Sequence, residues 1–139
     1  EYDNHIMFEE FIDGTEVSCG VYYNNAVTSL PVTEIVTDNE FFDYEAKYEG
    51  KSNEITPARI DKNIYSKIKN LTEKIYSELN LKGICRVDYI IKNNLPYIIE
   101  INTVPGLSKE SIIPKQLKCM NISLSEIFKI SIENATFNE

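Results

Sequence analysis

The sequence predicts an α+β fold, an antiparallel sheet with flanking helices, and three observations carry that reading. Short alternating segments fill the first third and are punctuated by Asp13-Gly14 and Asn24-Asn25. A single amphipathic stripe runs through residues 61–80. A second pair of alternating segments flanks Asn93-Asn94-Leu95-Pro96. Strict alternation marks half-buried strands, and apolar residues recurring every three to four positions mark a helix. With 139 residues and 42% hydrophobic content, the chain can bury one modest core, as a domain or as part of a larger one.

The elements follow in order. Residues 6–12, Ile-Met-Phe-Glu-Glu-Phe-Ile, read as a first strand, with Asp13-Gly14 as a hairpin turn. Residues 16–23 form a second strand. Val17, Cys19, Val21 and Tyr23 lie on one face, and Glu16, Ser18, Gly20 and Tyr22 on the other. A third strand over 26–36 is interrupted at Pro31, which suggests an edge or a bulge. Together these make a meander. Residues 37–60 show no clear period, and a connection of that length is often functional. The helix over 61–80 takes Asp61 as N-cap, has an apolar stripe of Ile64, Ile68, Leu71, Ile75 and Leu79, and ends near Gly83. A hairpin of 84–91 with 96–102 follows, then a Pro/Gly/Ser-rich loop at 103–114. Ser123 and Glu126 have capping-box spacing for a last helix over 124–135, with Leu124, Ile127 and Phe128 toward the core.

The formal charge of -8 excludes the basic stripe of a general nucleic-acid binder. Cys19, Cys85 and Cys119 are widely spaced, with no CxxC and no Cys/His cluster, so zinc is not indicated and reduced thiols are the simplest reading. No run reaches the length of a membrane span and no signal peptide opens the chain. The three Asn-x-Ser/Thr matches, at Asn70, Asn121 and Asn134, read as chance in an Asn-rich chain. Because a strand-like run comes almost at once, the chain is expected to begin inside a domain.

The chemistry concentrates in Arg86-Val-Asp88 and Glu100-Ile-Asn-Thr-Val-Pro-Gly106. On a strand, residues i and i+2 share a face, so Arg86 pairs with Asp88 and Glu100 with Asn102. A hairpin would gather three hard oxygen ligands and one guanidinium, an outline for magnesium and phosphate. The competing reading is a solvated sheet face with a salt bridge, and spacing alone does not decide. Gly106, after Pro105, allows close backbone approach and N–H donation to an oxyanion, or is an ordinary turn. Residues 41–48, Phe-Phe-Asp-Tyr-Glu-Ala-Lys-Tyr, suit a lid or a surface turn. Glu9-Glu10-Phe11-Ile12 and Glu16 suit an adenine edge with a ribose carboxylate, or are exposed acids. His5 is the only histidine, which leaves a Ser-His-Asp triad unsupported.

Taken in order, Glu9–Glu16, Phe42–Tyr48, Pro57-Ala58, Gly83–Asp88 and Glu100–Gly106 with Ser111 resemble D-alanine–D-alanine ligases of the ATP-grasp superfamily, over nearly the whole chain. The resemblance implies an ATP-grasp fold, comprising part of the central domain plus the C-terminal domain. Residues 1–36 would be adenine-side strands and 37–60 the ω-loop region. Residues 61–139 would carry the helix, metal hairpin, substrate loop and last helix. It implies that Glu9, Glu10, Phe11 and Ile12 hold adenine, Glu16 the ribose, and Lys47 the γ-phosphate. Asp88, Glu100 and Asn102 would hold two magnesium ions, with manganese as a substitute, on ATP. Arg86 and the Gly106 N–H would stabilise an oxyanion, and Ser111, the Ile112 N–H and Tyr48 would receive the second amino acid. The implied reaction joins two D-alanines through an acyl phosphate for peptidoglycan synthesis in the bacterial cytoplasm, with no nucleic-acid or membrane partner. Such enzymes are often homodimers. D-lactate or D-serine as second substrate, or a non-catalytic nucleotide-binding module, are the alternatives. Phe42 stands where many relatives have Tyr, and Ser108 where Thr is frequent. The family's N-terminal domain, glycine-rich loop and ATP-binding lysines have no counterpart here, so residues 1–139 by themselves are expected to be inactive.

Overall fold

A computed structural model describes residues 5–37 and 52–136. Six strands form one antiparallel sheet: β1 (Thr15–Asn24), β2 (Ala26–Ser29), β3 (Thr33–Thr37), β4 (Ser52–Ile55), β5 (Cys85–Lys92) and β6 (Leu95–Asn102). Their order is β4-β3-β1-β5-β6, with β2 also paired to β1. Helix α1 (Lys62–Glu78) covers one face. Helices α2 (Ile112–Cys119) and α3 (Leu124–Thr136) cover part of the other.

β1 is central because both of its faces are apolar or small. Val17 and Cys19 join Val87 and Tyr89 against Ile64 and Ile68 of α1. On the opposite face Tyr22 packs with Leu30, Ile113, Leu117 and Ile127. Gly20 also lies on that face. A Cβ there would meet the Gln116 Oε1 and Ile113 Cδ1 atoms at 2.6 Å, so the glycine lets α2 approach the sheet. The third predicted strand is indeed broken at Pro31. β2 pairs with residues 21–24 of β1 and β3 with residues 16–18, leaving a gap between them. This makes one long bulged arm rather than a meander, and β3 is not an edge, because β4 pairs with its outer side.

Several elements differ from expectation. Residues 6–12 are not a strand. Ile6, Met7, Phe8 and Phe11 are exposed, and no described strand pairs with them; β propensity describes a surface fit for neighbouring strands. Asp13-Gly14 accordingly makes no hairpin. Gly14 instead abuts the Ile91 carbonyl at the end of β5, where a Cβ would lie 2.3 Å from the oxygen. The 103–114 loop ends early, at α2. Pro114 is tolerated there because a first-turn residue needs no N–H. Within residues 37–60, β4 was not foreseen.

The caps explain where helices stop. The Asp61 carboxylate accepts from the Asn63 and Ile64 N–H groups, as expected. α1 ends at Asn80 (φ 49°) rather than Gly83, and the Leu81 N–H donates to the Tyr76 carbonyl in a Schellman arrangement. Asn121 (φ 57°) ends α2 in the same way, with the Ile122 N–H donating to Leu117. Asparagine accepts left-handed backbone more readily than most residues. The Ser123–Glu126 capping box forms reciprocally, at 3.2 Å and 2.7 Å. Leu79 and Phe128 prove exposed; Thr72 and Tyr76 take the buried positions on α1, and Ile127 takes that on α3.

Candidate active site

The site is built on the β5–β6 hairpin. Asn93 and Asn94 both have positive φ, 52° and 60°, giving a two-residue turn with Lys92 paired to Leu95. Unbroken pairing from that turn would set Ile99 opposite Asp88 and Ile101 opposite Arg86. A bulge between Asp88 and Tyr89 shifts the register by one, so Glu100 faces Asp88 and Asn102 faces Arg86. A one-residue slip exchanges the faces of a strand. The bulge therefore brings Glu100 and Asn102 onto the Asp88 face, and it turns Ile101 toward the α1 core.

On that face Arg86 grips Asp88 as a fork, Nε to Oδ1 at 2.8 Å and Nη2 to Oδ2 at 2.7 Å. Glu100 Oε1 approaches Nη2 at 3.8 Å. Burial works against the Arg86 charge, but the Asp88 hydrogen bonds and the fields of Asp88, Glu100 and Glu54 outweigh it and raise its pKa. Asp88 also accepts a hydrogen bond from the Ser18 hydroxyl of β1. The side chains grade outward, from Asp88 at 9% exposed through Arg86 at 17% to Glu100 at 54%. Asn102 Oδ1 accepts from the Val104 N–H at 3.1 Å, which folds the chain into the next loop.

That loop leads to α2. Gly106 packs against Ser111, and a Cβ at Gly106 would meet its Oγ at 2.9 Å. Ser111 is the N-cap residue, yet its hydroxyl makes no cap bond and instead pairs with the Ser108 hydroxyl at 2.8 Å. The Ile112 and Ile113 N–H groups thus stand at the helix start, a setting that favours a carboxylate or phosphate. The Ile112 side chain is buried.

Asp88, Glu100 and Asn102 are hard oxygen donors, two carboxylates and one amide, which fits magnesium better than a soft metal. Among the described residues no three His, Cys, Asp or Glu side chains form a group that could hold a metal ion. Glu16 lies two residues before Ser18 on the same face of β1. Glu9 and Glu10 lie exposed with Phe11 in the segment before β1, where Ile12 is half-buried and no strand is formed. Lys47 and Tyr48 lie outside the described residues. The sequence reading missed Lys115, which pairs with Glu54 at 2.9 Å, and Gln116, buried against β1. The unforeseen α2 carries both. Ser18 had a usable signal, since it shares the Glu16 face.

The antiparallel sheet between helices has the ATP-grasp architecture of solved D-alanine–D-alanine ligases. The fold matches D-alanine–D-alanine ligase from Bacillus anthracis complexed with ATP at a TM-score of 0.73, with 28% identity, covering 92% of this chain and 41% of that one. It matches the VanG D-Ala:D-Ser ligase from Enterococcus faecalis at 0.72, with 31% identity, covering 89% and 37%. The family model described as D-ala D-ala ligase C-terminus matches residues 1–133, and the chain belongs to that family. The D-alanine–D-alanine ligase of Flavobacterium johnsoniae is 53% identical over 132 residues, 94% of this chain and 41% of the relative. That of Porphyromonas gingivalis is 46% identical over 124 residues, 88% and 38%. The chain thus spans about two-fifths of the length of these relatives. Among the described residues no helix is long and apolar enough to cross a membrane.

Proposed function

We propose that the protein carrying this sequence joins two D-alanines to D-alanyl-D-alanine at the expense of ATP, for peptidoglycan synthesis in the bacterial cytoplasm. This stretch would supply the metal-binding and second-substrate half of the active site. The observation that carries the reading is the bulged register, which sets Arg86, Asp88, Glu100 and Asn102 on one face leading to Gly106 and Ser111. The 53% identity to the Flavobacterium johnsoniae ligase supports D-alanine over D-serine or D-lactate as the second substrate. A homodimer is the expected assembly of the full-length protein.

ATP first transfers its γ-phosphoryl group to the carboxylate of one D-alanine. The amine of the second then attacks that carbon, the C–N bond forms, the C–O bond to phosphate breaks, and the amine loses a proton. Asp88, Glu100 and Asn102 would hold magnesium, or manganese in its place. When bound, the metal neutralises charge on the phosphoryl group. Arg86 and the Gly106 N–H would donate to the oxyanion of the tetrahedral intermediate. The Ser111 hydroxyl and the Ile112 N–H would hold the second carboxylate. Lys47 and Tyr48 would act from the ω-loop, on the γ-phosphate and the second amino-acid site. Glu9, Glu10, Phe11, Ile12 and Glu16 would line the nucleotide.

The test is D-alanine-dependent ADP release by the full-length protein, with product analysis using D-alanine, D-serine and D-lactate as acceptors. Glu100→Gln should lower kcat by at least about a hundredfold. D-alanyl-D-serine or D-alanyl-D-lactate as the main product would move the reading to those ligases. Nucleotide binding without any ligation would move it to a non-catalytic module.

A further inference from the structure

Gln116 is fully buried on α2 and makes three hydrogen bonds to the sheet. Its Oε1 accepts from the Gly20 N–H at 3.1 Å, and its Nε2 donates to the Ser18 carbonyl and the Thr33 hydroxyl, each at 3.0 Å. These β1 groups are available because the gap between β2 and β3 leaves that stretch of β1 without a ladder partner on one side. Ser18 is also fully buried, and its hydroxyl donates to Asp88. One residue of β1 therefore touches both halves of the site. Its carbonyl is bonded to the helix that begins at Ser111 and Ile112, and its hydroxyl to the carboxylate gripped by Arg86.

We propose that Ser18 and Gln116 are positioning residues, a buried polar link that fixes the second-substrate helix start relative to the Asp88 carboxylate. Resting on the ligase reading, this assigns a division of labour within it. Ser18 uses one Asp88 lone pair and, with the Arg86 fork, fixes which oxygens face outward. Groups that orient a metal ligand typically change affinity or activity by about ten- to a hundredfold when removed. Gln116 fixes α2 at its second turn, so the helix start cannot slide along the sheet. A shift of about 1 Å at a reacting group can cost about a hundredfold in rate.

The experiment uses the full-length protein and four variants: Ser18→Ala, Ser18→Thr, Gln116→Leu and Gln116→Glu. Steady-state assays would read kcat, the KM of the second D-alanine and the magnesium concentration at half-saturation. Titration calorimetry with magnesium and a non-hydrolysable ATP analogue would give a readout independent of turnover. Ser18→Ala should raise the magnesium requirement about tenfold, with little change in the KM of the second D-alanine, and Ser18→Thr should restore it. Gln116→Leu should raise that KM about tenfold with the magnesium requirement nearly unchanged. Gln116→Glu keeps the acceptor for Gly20 but loses the Nε2 donor to the Ser18 carbonyl, so it cuts the link on one side only and should show the same KM shift. The proposal is overturned if both parameters stay within about twofold of wild type, or if only kcat falls, in step with the thermal midpoint. Absence of any D-alanine turnover in the wild type would instead remove the ligase reading, and the calorimetric comparison of Ser18→Ala with Ser18→Thr would still decide the Ser18 half.

Discussion

Asp88 shows how little an isolated side chain decides. Two Arg86 donors and the Ser18 hydroxyl fix its orientation before any ligand arrives, so an exposed Glu100 can adapt while Asp88 does not. The carboxylate on the Arg59 fork has a structural role. Glu34 accepts from Arg59 Nε at 2.9 Å, Nη2 at 3.0 Å and the backbone N–H at 3.2 Å, joining β3 to the segment before α1. The Arg59 side-chain hydrogen bond is the main reason that the Glu34 pKa is lowered in the folded state. A depressed carboxylate pKa gives stability that is fully present above the unfolded value, about 4.3 for Glu, and is lost as pH falls through the folded value. Arg59→Ala should therefore lower the urea midpoint at about pH 6, and the difference from wild type should narrow as pH falls below the unfolded Glu value of about 4.3. Arg59 is 63% exposed, so the difference should be small and shrink with added salt. A constant gap across that range would mean that the contact acts through packing, not charge.

Among the elements, the β6 bulge has the largest consequence for the site. Ile99 is the extra residue, so deleting it would join the Tyr89–Ile98 and Asp88–Glu100 pairs into one regular register and leave Glu100 and Asn102 on the Asp88 face, with Ile101 still toward the α1 core. On the proposed function, the full-length protein lacking Ile99 should therefore keep ligation within about tenfold of wild type. Loss by more than about a thousandfold would show that the local kink of the bulge, and not register alone, sets the site. The sequence made the four site residues legible through i, i+2 spacing and a turn signal, but nothing in its local pattern marks the bulge. Ile98-Ile99 reads simply as two strong strand formers, and the extra residue is visible only once the partner strand is known. The regular elements were legible for the same local reasons: the 61–80 stripe, the Asp61 cap and the Ser123–Glu126 box each sit within one helical turn or repeat. Helix α2 was hidden because Pro114 and the preceding Pro-Gly-Leu-Ser run look like loop, and its stability comes from packing against β1. β4 is four residues long and is defined by its partner β3. The 6–12 segment failed in the opposite direction: its composition favours a strand that no described neighbour completes.

For the molecule as a whole, the three thiols offer a test of how cooperative the sheet is. Cys19 on β1 and Cys85 on β5 are fully buried, and Cys119 at the end of α2 is exposed. Burial pushes the Cys19 thiol up to about 12 and raises Cys85, so neither carries appreciable thiolate at neutral pH while folded. β1 and β5 are adjacent central strands, so Cys19 and Cys85 should become reactive only when the sheet opens as a unit. Brief iodoacetamide treatment of the folded protein should modify Cys119 alone, whereas labelling in denaturant should modify all three cysteines. Over longer exposure, Cys19 and Cys85 should be labelled at matching rates that rise together with added urea. Cys85 is the first residue of β5, next to the Leu81–Gly83 connection, so it is the thiol through which a failure of cooperativity would first show. If Cys85 is labelled much faster than Cys19, the β5–β6 hairpin opens separately from β1. The face that carries Arg86, Asp88 and Glu100 would then be a local folding unit, and its geometry would be set when the hairpin docks onto Ser18 rather than when the core forms.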